Sequence, residues 1–206
     1  MPDLSLPDDI QICNELGSGR RSHVYLAKYL DKDVAVKVYK QKYIEKYQKQ
    51  SKVNIGEFEY NRNKRAYDDQ MLKKFIAKPY RLLMPADGYS LALVQEYVEG
   101  KWLKQHMEET GSLPAEVLQA GYIIVEEAAR LGMYDLDISL GNIMIQQDAD
   151  GKWLPKLYDF NLMPQHMRPP NPLMALGFIL KLRSKNHRDY RSLQQWQDYA
   201  NKVSKQ

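Results

Sequence analysis

The chain has 206 residues, 44% hydrophobic and 27% charged side chains, and a formal charge of +4. That is the make-up of a globular protein long enough to bury a sizeable core as one domain or two small lobes, and the mild positive charge fits anionic partners without being evidence for any. A single cysteine, Cys13, excludes an internal disulfide and suits a reducing compartment. The opening MPDLSLPDDI has neither a basic stretch nor an apolar core, so a Sec-type signal peptide is not expected. The longest strongly apolar stretch, Leu173 to Leu180, is too short to span a bilayer. His23, His106, His166 and His187 are scattered, so no metal site is legible from their spacing.

From Ile10 to Lys40 the chain alternates and is rich in Val, Tyr and Ile, which predicts three strands: Gln11 to Gly17, His23 to Tyr29, and Asp33 to Tyr39. Within them lies Leu16-Gly17-Ser18-Gly19-Arg20-Arg21-Ser22-His23-Val24. Glycines without a Cβ let backbone N–H groups lie close over phosphates, although a plain hairpin turn explains Gly-Ser-Gly as well. Val34-Ala35-Val36 then leads to Lys37. A lysine at a strand end is commonly a snorkelled surface group.

Lys40 to Lys52, dense in Lys, Gln and Tyr, reads as a solvated segment leading to a helix. The sharper reading is a basic patch for an acidic partner or nucleic acid. Gly56 to Lys73 predicts a helix, with Phe58, Ala66, Tyr67, Met71 and Leu72 available for its apolar stripe. Phe75 to Met84 and Ser90 to Tyr97 predict two strands around the turn Pro85 to Gly88. Pro114 to Leu131 predicts a helix stopped by Gly132.

Asn142 to Gln147 and Trp153 to Tyr158 predict a hairpin around Asp148 to Gly151. A calcium loop is rejected there, because its glycine belongs at the sixth position and Gly151 is the fourth from Asp148. Met163-Pro164 and Arg168 to Pro172 read as a stiff loop. Helical stretches follow at about Leu173 to Lys185 and His187 to Val203. The charged, Gln-rich end is expected to face solvent, with Trp196 a packing residue.

The chain is organised around Leu131 to Asn161. Asp137 is followed five positions later by Asn142, then by the hairpin, then by Asp159 in Tyr-Asp-Phe-Asn. With the glycine loop and the Val-Ala-Val-Lys strand before it, this order resembles the protein-kinase superfamily from Leu16 to about Asn161. The resemblance implies an α+β, minimal bilobal protein-kinase-like fold. It would have a five-stranded antiparallel N-lobe at 1–98 and a truncated, mostly helical C-lobe at 99–206.

It also implies the site. Gly17, Ser18, Gly19, Ser22, Val24 and Ala35 would line the nucleotide, and Lys37 would position its phosphates. Such a lysine needs a helix glutamate. Glu57 and Glu59 are both present, and Glu59 is preferred because it shares a helical face with Ala66 and Tyr67. Backbone groups of Glu96 and Val98 would meet the adenine edge over Met144. Asp137 would be the catalytic base, and Asn142 and Asp159 would bind Mg2+ with ATP.

The departures are informative. Leu136 stands where many kinases have the arginine before the catalytic Asp, and Tyr134 and Asp135 replace the usual His context. Ser139 replaces a common lysine, Asn161 replaces the Gly of Asp-Phe-Gly, and no Ala-Pro-Glu follows. Most of the usual lower-lobe helices have no counterpart. Between Asn161 and Leu180 there is no Ser, Thr or Tyr, so activity without activation-loop phosphorylation is expected.

These traits are similar to the minimal kinases that bacteria inject into hosts through type III secretion. One such family phosphorylates the host chaperone heat-shock protein 90, and another binds ubiquitin and ubiquitin-conjugating enzymes. The resemblance implies a monomeric effector acting on a host protein in the host cytoplasm, with heat-shock protein 90 preferred and ubiquitin or its conjugating enzyme the alternative. No nucleic acid is expected as a partner. Two other readings remain: a small-molecule or lipopolysaccharide kinase, suggested by Gly141-Asn142, and a pseudokinase binding module.

Overall fold

Five strands, β1 (Ile10–Ser18), β2 (Ser22–Tyr29), β3 (Lys32–Tyr39), β4 (Pro79–Leu83) and β5 (Ala92–Glu96), form one antiparallel sheet in the order β1-β2-β3-β5-β4. The computed structural model describes residues 4–160, 164–167 and 169–204, and the backbone alone at Ser51. The chain divides into two compact units. The first takes residues up to Arg65 and Ala77–Tyr97, the second Ala66–Ile76 and residues from Val98 onward.

In the first unit, β3 is the middle strand, and all six residues from Val34 to Tyr39 are buried. Val34, Val36 and Val38 pack with Tyr25, Ala27, Leu83, Ala92 and Val94 into one core. Lys37 is carried into this strand by its apolar neighbours, facing Val24 on β2 and Leu93 on β5. Helices α1 (Gln41–Ser51) and α2 (Ile55–Asp68) follow. The segment read as a solvated lead-in is therefore itself a helix. Gln, Lys and Glu are good helix formers, and a Gln41–Glu45 hydrogen bond of 2.9 Å supports its first turn. It stops at Lys52, whose φ of 54° is left-handed.

Helix α2 ends earlier than its apolar pattern suggests. The Asp69 carboxylate accepts from the N–H groups of Met71 and Leu72, starting a new turn that runs into the 3₁₀ turn Lys73–Phe75. Met71 is 51% exposed and so falls outside the stripe, whereas Leu72 is fully buried.

The second unit is built on helices α3 (Leu103–Thr110), α4 (Ala115–Arg130), α5 (Pro172–Ile179) and α6 (His187–Val203). A small antiparallel sheet joins them, β6 (Lys101–Trp102), β7 (Ile143–Gln147) and β8 (Trp153–Leu157). Strand β6 and helix α3 were not legible as elements, being two and eight residues long. Their stretch does hold Leu103, His106 and Met107 at helical spacing, and all three are buried.

In this unit two glycines are required by close approach. A Cβ on Gly100 would stand 2.3 Å from the Ile145 carbonyl oxygen. One on Gly121 would stand 2.6 Å from Leu193 Cδ2 and 2.9 Å from Trp196 Cζ3. Gly121 thus lets α6 lie against α4. The Gln-rich end of the chain is not simply solvated, since Leu193 and Trp196 show 0% exposure and belong to the core of this unit. Asn161, Met163 and Arg168 lie outside the described residues. No described helix is long and apolar enough to cross a membrane.

Candidate active site

The side chains that the sequence singles out fall into two groups, one in each unit. In the first unit β1 and β2 meet in a tight turn, with the Gly19 N–H donating to the Ser22 carbonyl at 2.9 Å. Gly17 pairs with Val24 across the strands, and Ser18 with His23. The fold itself does not demand glycine at these places. A Cβ on Gly17 would meet nothing within 4 Å, and one on Gly19 only the Ser22 carbonyl at 3.8 Å. The loop is also tethered by a residue the sequence reading missed. Lys40 Nζ donates to Ser18 Oγ at 3.0 Å and to the Gly19 carbonyl at 2.7 Å.

Lys37 and Glu59 are brought together. Lys37 Nζ lies 2.6 Å from Glu59 Oε1, and the Tyr39 hydroxyl donates to Glu59 Oε2 at 2.7 Å. Glu59 has no exposed surface, while Glu57 on the same helix is exposed. A carboxylate this buried survives as a charge only with partners on both oxygens. Tyr39 therefore completes the arrangement, and it too was missed. Its alternation with Lys37 along β3 was the available signal, since residues two apart share a strand face. Ser22 and Ala35 are buried, Ser18 is exposed and Val24 half-buried. Glu96, at the end of β5, exchanges bonds with Lys78: its N–H donates to the Lys78 carbonyl at 2.8 Å, and its carboxylate accepts from the Lys78 N–H at 2.9 Å.

In the second unit Asp137 lies in an irregular loop, half-buried, with φ +66°. Asp135 nearby has φ +57°. Left-handed backbone at two non-glycine residues needs outside support. Asp189, buried at the start of α6, provides it. Its two carboxylate oxygens accept from the N–H groups of Asp135 at 2.8 Å and Leu136 at 2.7 Å. Trp196 Nε1 donates to the Ile138 carbonyl at 3.0 Å, and the Tyr158 hydroxyl donates to the Gly141 carbonyl at 2.9 Å. The Asp135 carboxylate pairs with Arg188 at 2.9 Å and accepts from the Gln165 N–H at 2.8 Å. Asp189 and Arg188 were invisible as site residues, because they sit some fifty positions from the loop they hold.

Asn142 Nδ2 donates to the Asp137 carbonyl at 3.1 Å, so the amide oxygen faces away from that bond. Asp159 is half-buried beside Phe160, which is locked in the core at 1% exposure. Met144 is half-buried on β7, and Val98 is buried. Among the described residues no three His, Cys, Asp or Glu side chains converge as a metal site.

No protein-family model matches the chain, and a search of curated proteins returns no match. Solved structures do match. Rad53 in complex with AMP-PNP is similar at 20% identity and a TM-score of 0.56, over 75% of this chain and 39% of that one. The kinase domain of Mycobacterium tuberculosis PknI, as a mutant, is similar at 17% identity and a TM-score of 0.57, over 86% of this chain and 69% of that one. A Plasmodium kinase domain is similar at 17% identity and a TM-score of 0.54, over 77% of this chain and 52% of that one. The fold is that of protein-kinase domains, α+β with a five-stranded antiparallel sheet in one unit and mostly helices in the other. The chain spans about two fifths of the Rad53 chain and half of the Plasmodium one.

Proposed function

We propose that the chain is an ATP- and Mg2+-dependent protein kinase. The observation that carries this reading is the buried Lys37–Glu59 pair at 2.6 Å, with Tyr39 on the second oxygen. A buried ion pair adds little stability over apolar packing. Its worth lies in holding an ammonium in one place, where it can meet phosphate oxygens. The room at Gly17 and Gly19 supports the same reading, since among the described residues an added Cβ would meet nothing within 4 Å at the first and only the Ser22 carbonyl, at 3.8 Å, at the second.

Asn142 and Asp159 are hard oxygen donors of the kind Mg2+ accepts together with phosphates and water, and they would hold it there. The ion supplies charge that offsets the phosphate oxygens. Asp137 takes the proton of the acceptor hydroxyl, held in orientation by Asp189 through the loop backbone. Loop phosphorylation is not required on this reading. Asp135 holds the segment at Gln165 directly, and Arg188 balances its charge.

The finer reading is a bacterial effector delivered by type III secretion, with heat-shock protein 90 as the preferred acceptor. It is supported by the sequence traits it shares with such effectors. The test is transfer from radiolabelled ATP into eukaryotic lysate and purified heat-shock protein 90, beside Asp159→Ala and Asp137→Asn. A labelled chaperone band lost with Asp159→Ala, and lowered roughly 10²–10⁴-fold with Asp137→Asn, is expected. Another labelled protein would keep the kinase and discard the chaperone. ATP binding without any transfer would sink the enzyme.

A further inference from the structure

The second unit carries a cationic cavity that the phosphotransfer residues do not use. It encloses about 300 Å³ and is lined by Gln165, Met174, Arg183, His187, Arg188 and Arg191, among others. Three arginines and a histidine therefore line one space. Only Arg188 has a carboxylate partner there, Asp135 at 2.9 Å. Among the described residues neither Arg183 nor Arg191 forms an ion pair; the Arg183 guanidinium donates to the Met174 sulfur.

The surrounding sequence offers no relief. From Pro164 to Leu193 it holds Arg168, Lys181, Arg183, Lys185, Arg188 and Arg191 against one carboxylate, Asp189, which is buried and spent on backbone amides. Like charges gathered in a concave site raise its potential, and guanidinium forks match the oxygens of phosphate and carboxylate. His187 fits such a field, its pKa lowered by burial and by Arg183 and Arg188 against the opposing pull of its Ser184 bond and Asp135.

We propose that this cavity is an anion-binding site that seats a phosphorylated or acidic side chain of the acceptor protein. The segment from Asn161 to Leu180 does not supply that anion, since it has no Ser, Thr or Tyr. A protein source is favoured by the helix on the cavity wall. Met174 belongs to α5, which exposes 81% of Leu173 and 74% of Ile179, apolar surface on the same helix that a small anion would not need. The cavity also shares Gln165 and Arg188 with the bonds that hold Asp135, two residues from Asp137. By chain and side-chain reach, a seated anion lies no more than roughly 15 Å from the base, up to about four residues of extended peptide. Assigning the anion to an acceptor rests on the phosphotransferase reading; the anion site does not.

The test begins with inorganic phosphate titrated into the isotope-labelled full chain. Saturable shifts of the Arg183 and Arg191 side chains and of the His187–Arg191 amides are expected. Arg183→Gln with Arg191→Gln should weaken binding at least 10-fold, while Lys46→Gln with Lys49→Gln on α1 changes nothing. Peptides with phosphoserine, Glu or Ala four residues from an acceptor serine then separate the sources. KM should rise from the charged peptides to the Ala peptide and level out in the arginine double variant, with kcat and basal ATP hydrolysis unchanged. A larger gain from phosphoserine identifies a phosphate, and equal gains identify a carboxylate. Phosphate binding lost in the double variant, without transfer to any acceptor, keeps the anion site and overturns the acceptor assignment with the kinase reading. Shifts spread over all basic residues, or arginine-dependent sedimentation only with phosphatidylserine vesicles, would overturn the site.

Discussion

Lys37 and Glu59, twenty-two positions apart, meet at 2.6 Å inside the first unit, and Tyr39 donates to the carboxylate oxygen that Lys37 leaves. Neither charge has appreciable access to water, so each depends on the other.

Lys37→Met alone should lower stability by about 3–5 kcal/mol, because it strands the Glu59 carboxylate. Lys37→Met with Glu59→Leu should recover most of that loss in a denaturant titration, yet remain inactive in transfer. A double variant that transfers phosphate would remove Lys37 from the mechanism.

Gly17→Ala and Gly100→Ala should part company. The first adds a methyl into open space and should leave Tm nearly unchanged while weakening nucleotide binding. The second forces a Cβ against the Ile145 carbonyl and should cost about 1–3 kcal/mol. Thermal melts with and without nucleotide read both effects, and an unchanged nucleotide affinity in Gly17→Ala would remove that glycine from the phosphate site.

Asp189→Asn keeps the shape of the side chain and removes its charge. Charge-assisted bonds to two buried amides weaken, so the Asp135 and Leu136 N–H groups should exchange with solvent at least 10-fold faster. The exchange of the α4 amides, which do not depend on this carboxylate, should stay nearer the parent's. Transfer should fall through kcat more than KM. Unchanged exchange at both amides would show that the loop is held by other bonds.

His106 is buried beside Trp153, with ring centroids 4.7 Å apart. Burial and then the Lys101 charge lower its pKa, against a smaller opposing pull from Glu109. The unfolded chain therefore binds a proton at this site at higher pH than the folded one. Stability from His106 is present above its unfolded pKa of 6.5 and is lost as pH falls from there through the folded value. His106→Phe should flatten that part of the pH–stability curve. An unchanged slope would mean that His187, lowered for similar reasons, carries the dependence.

The strands of the first unit were legible because alternation in Val34-Ala35-Val36 and its neighbours reports a period of two directly. The α6 bounds, His187–Val203, were legible as well. Helix α1 was obscured, since Lys and Gln say little about partners while favouring helix locally. Helix α5 was read too long. It stops near Ile179, and Lys181 turns left-handed at φ 56°. The apparent stripe of α2 ran past a break that the Asp69 side chain makes.

The sequence by itself determined the order of the chemistry-bearing residues, Lys37 before Glu59 before Asp137, Asn142 and Asp159, because motifs are local in the chain. It also determined the apolar pattern that makes β3 a buried strand. Only the tertiary structure decided that Lys37 meets Glu59 rather than Glu57, that Tyr39 shares the carboxylate, and that Asp189, Arg188 and Trp196 hold the loop around Asp137. The physical reason is range. Strand alternation and helix periodicity act over a few residues, whereas hydrogen bonds and ion pairs act over ångströms between positions that packing alone brings together.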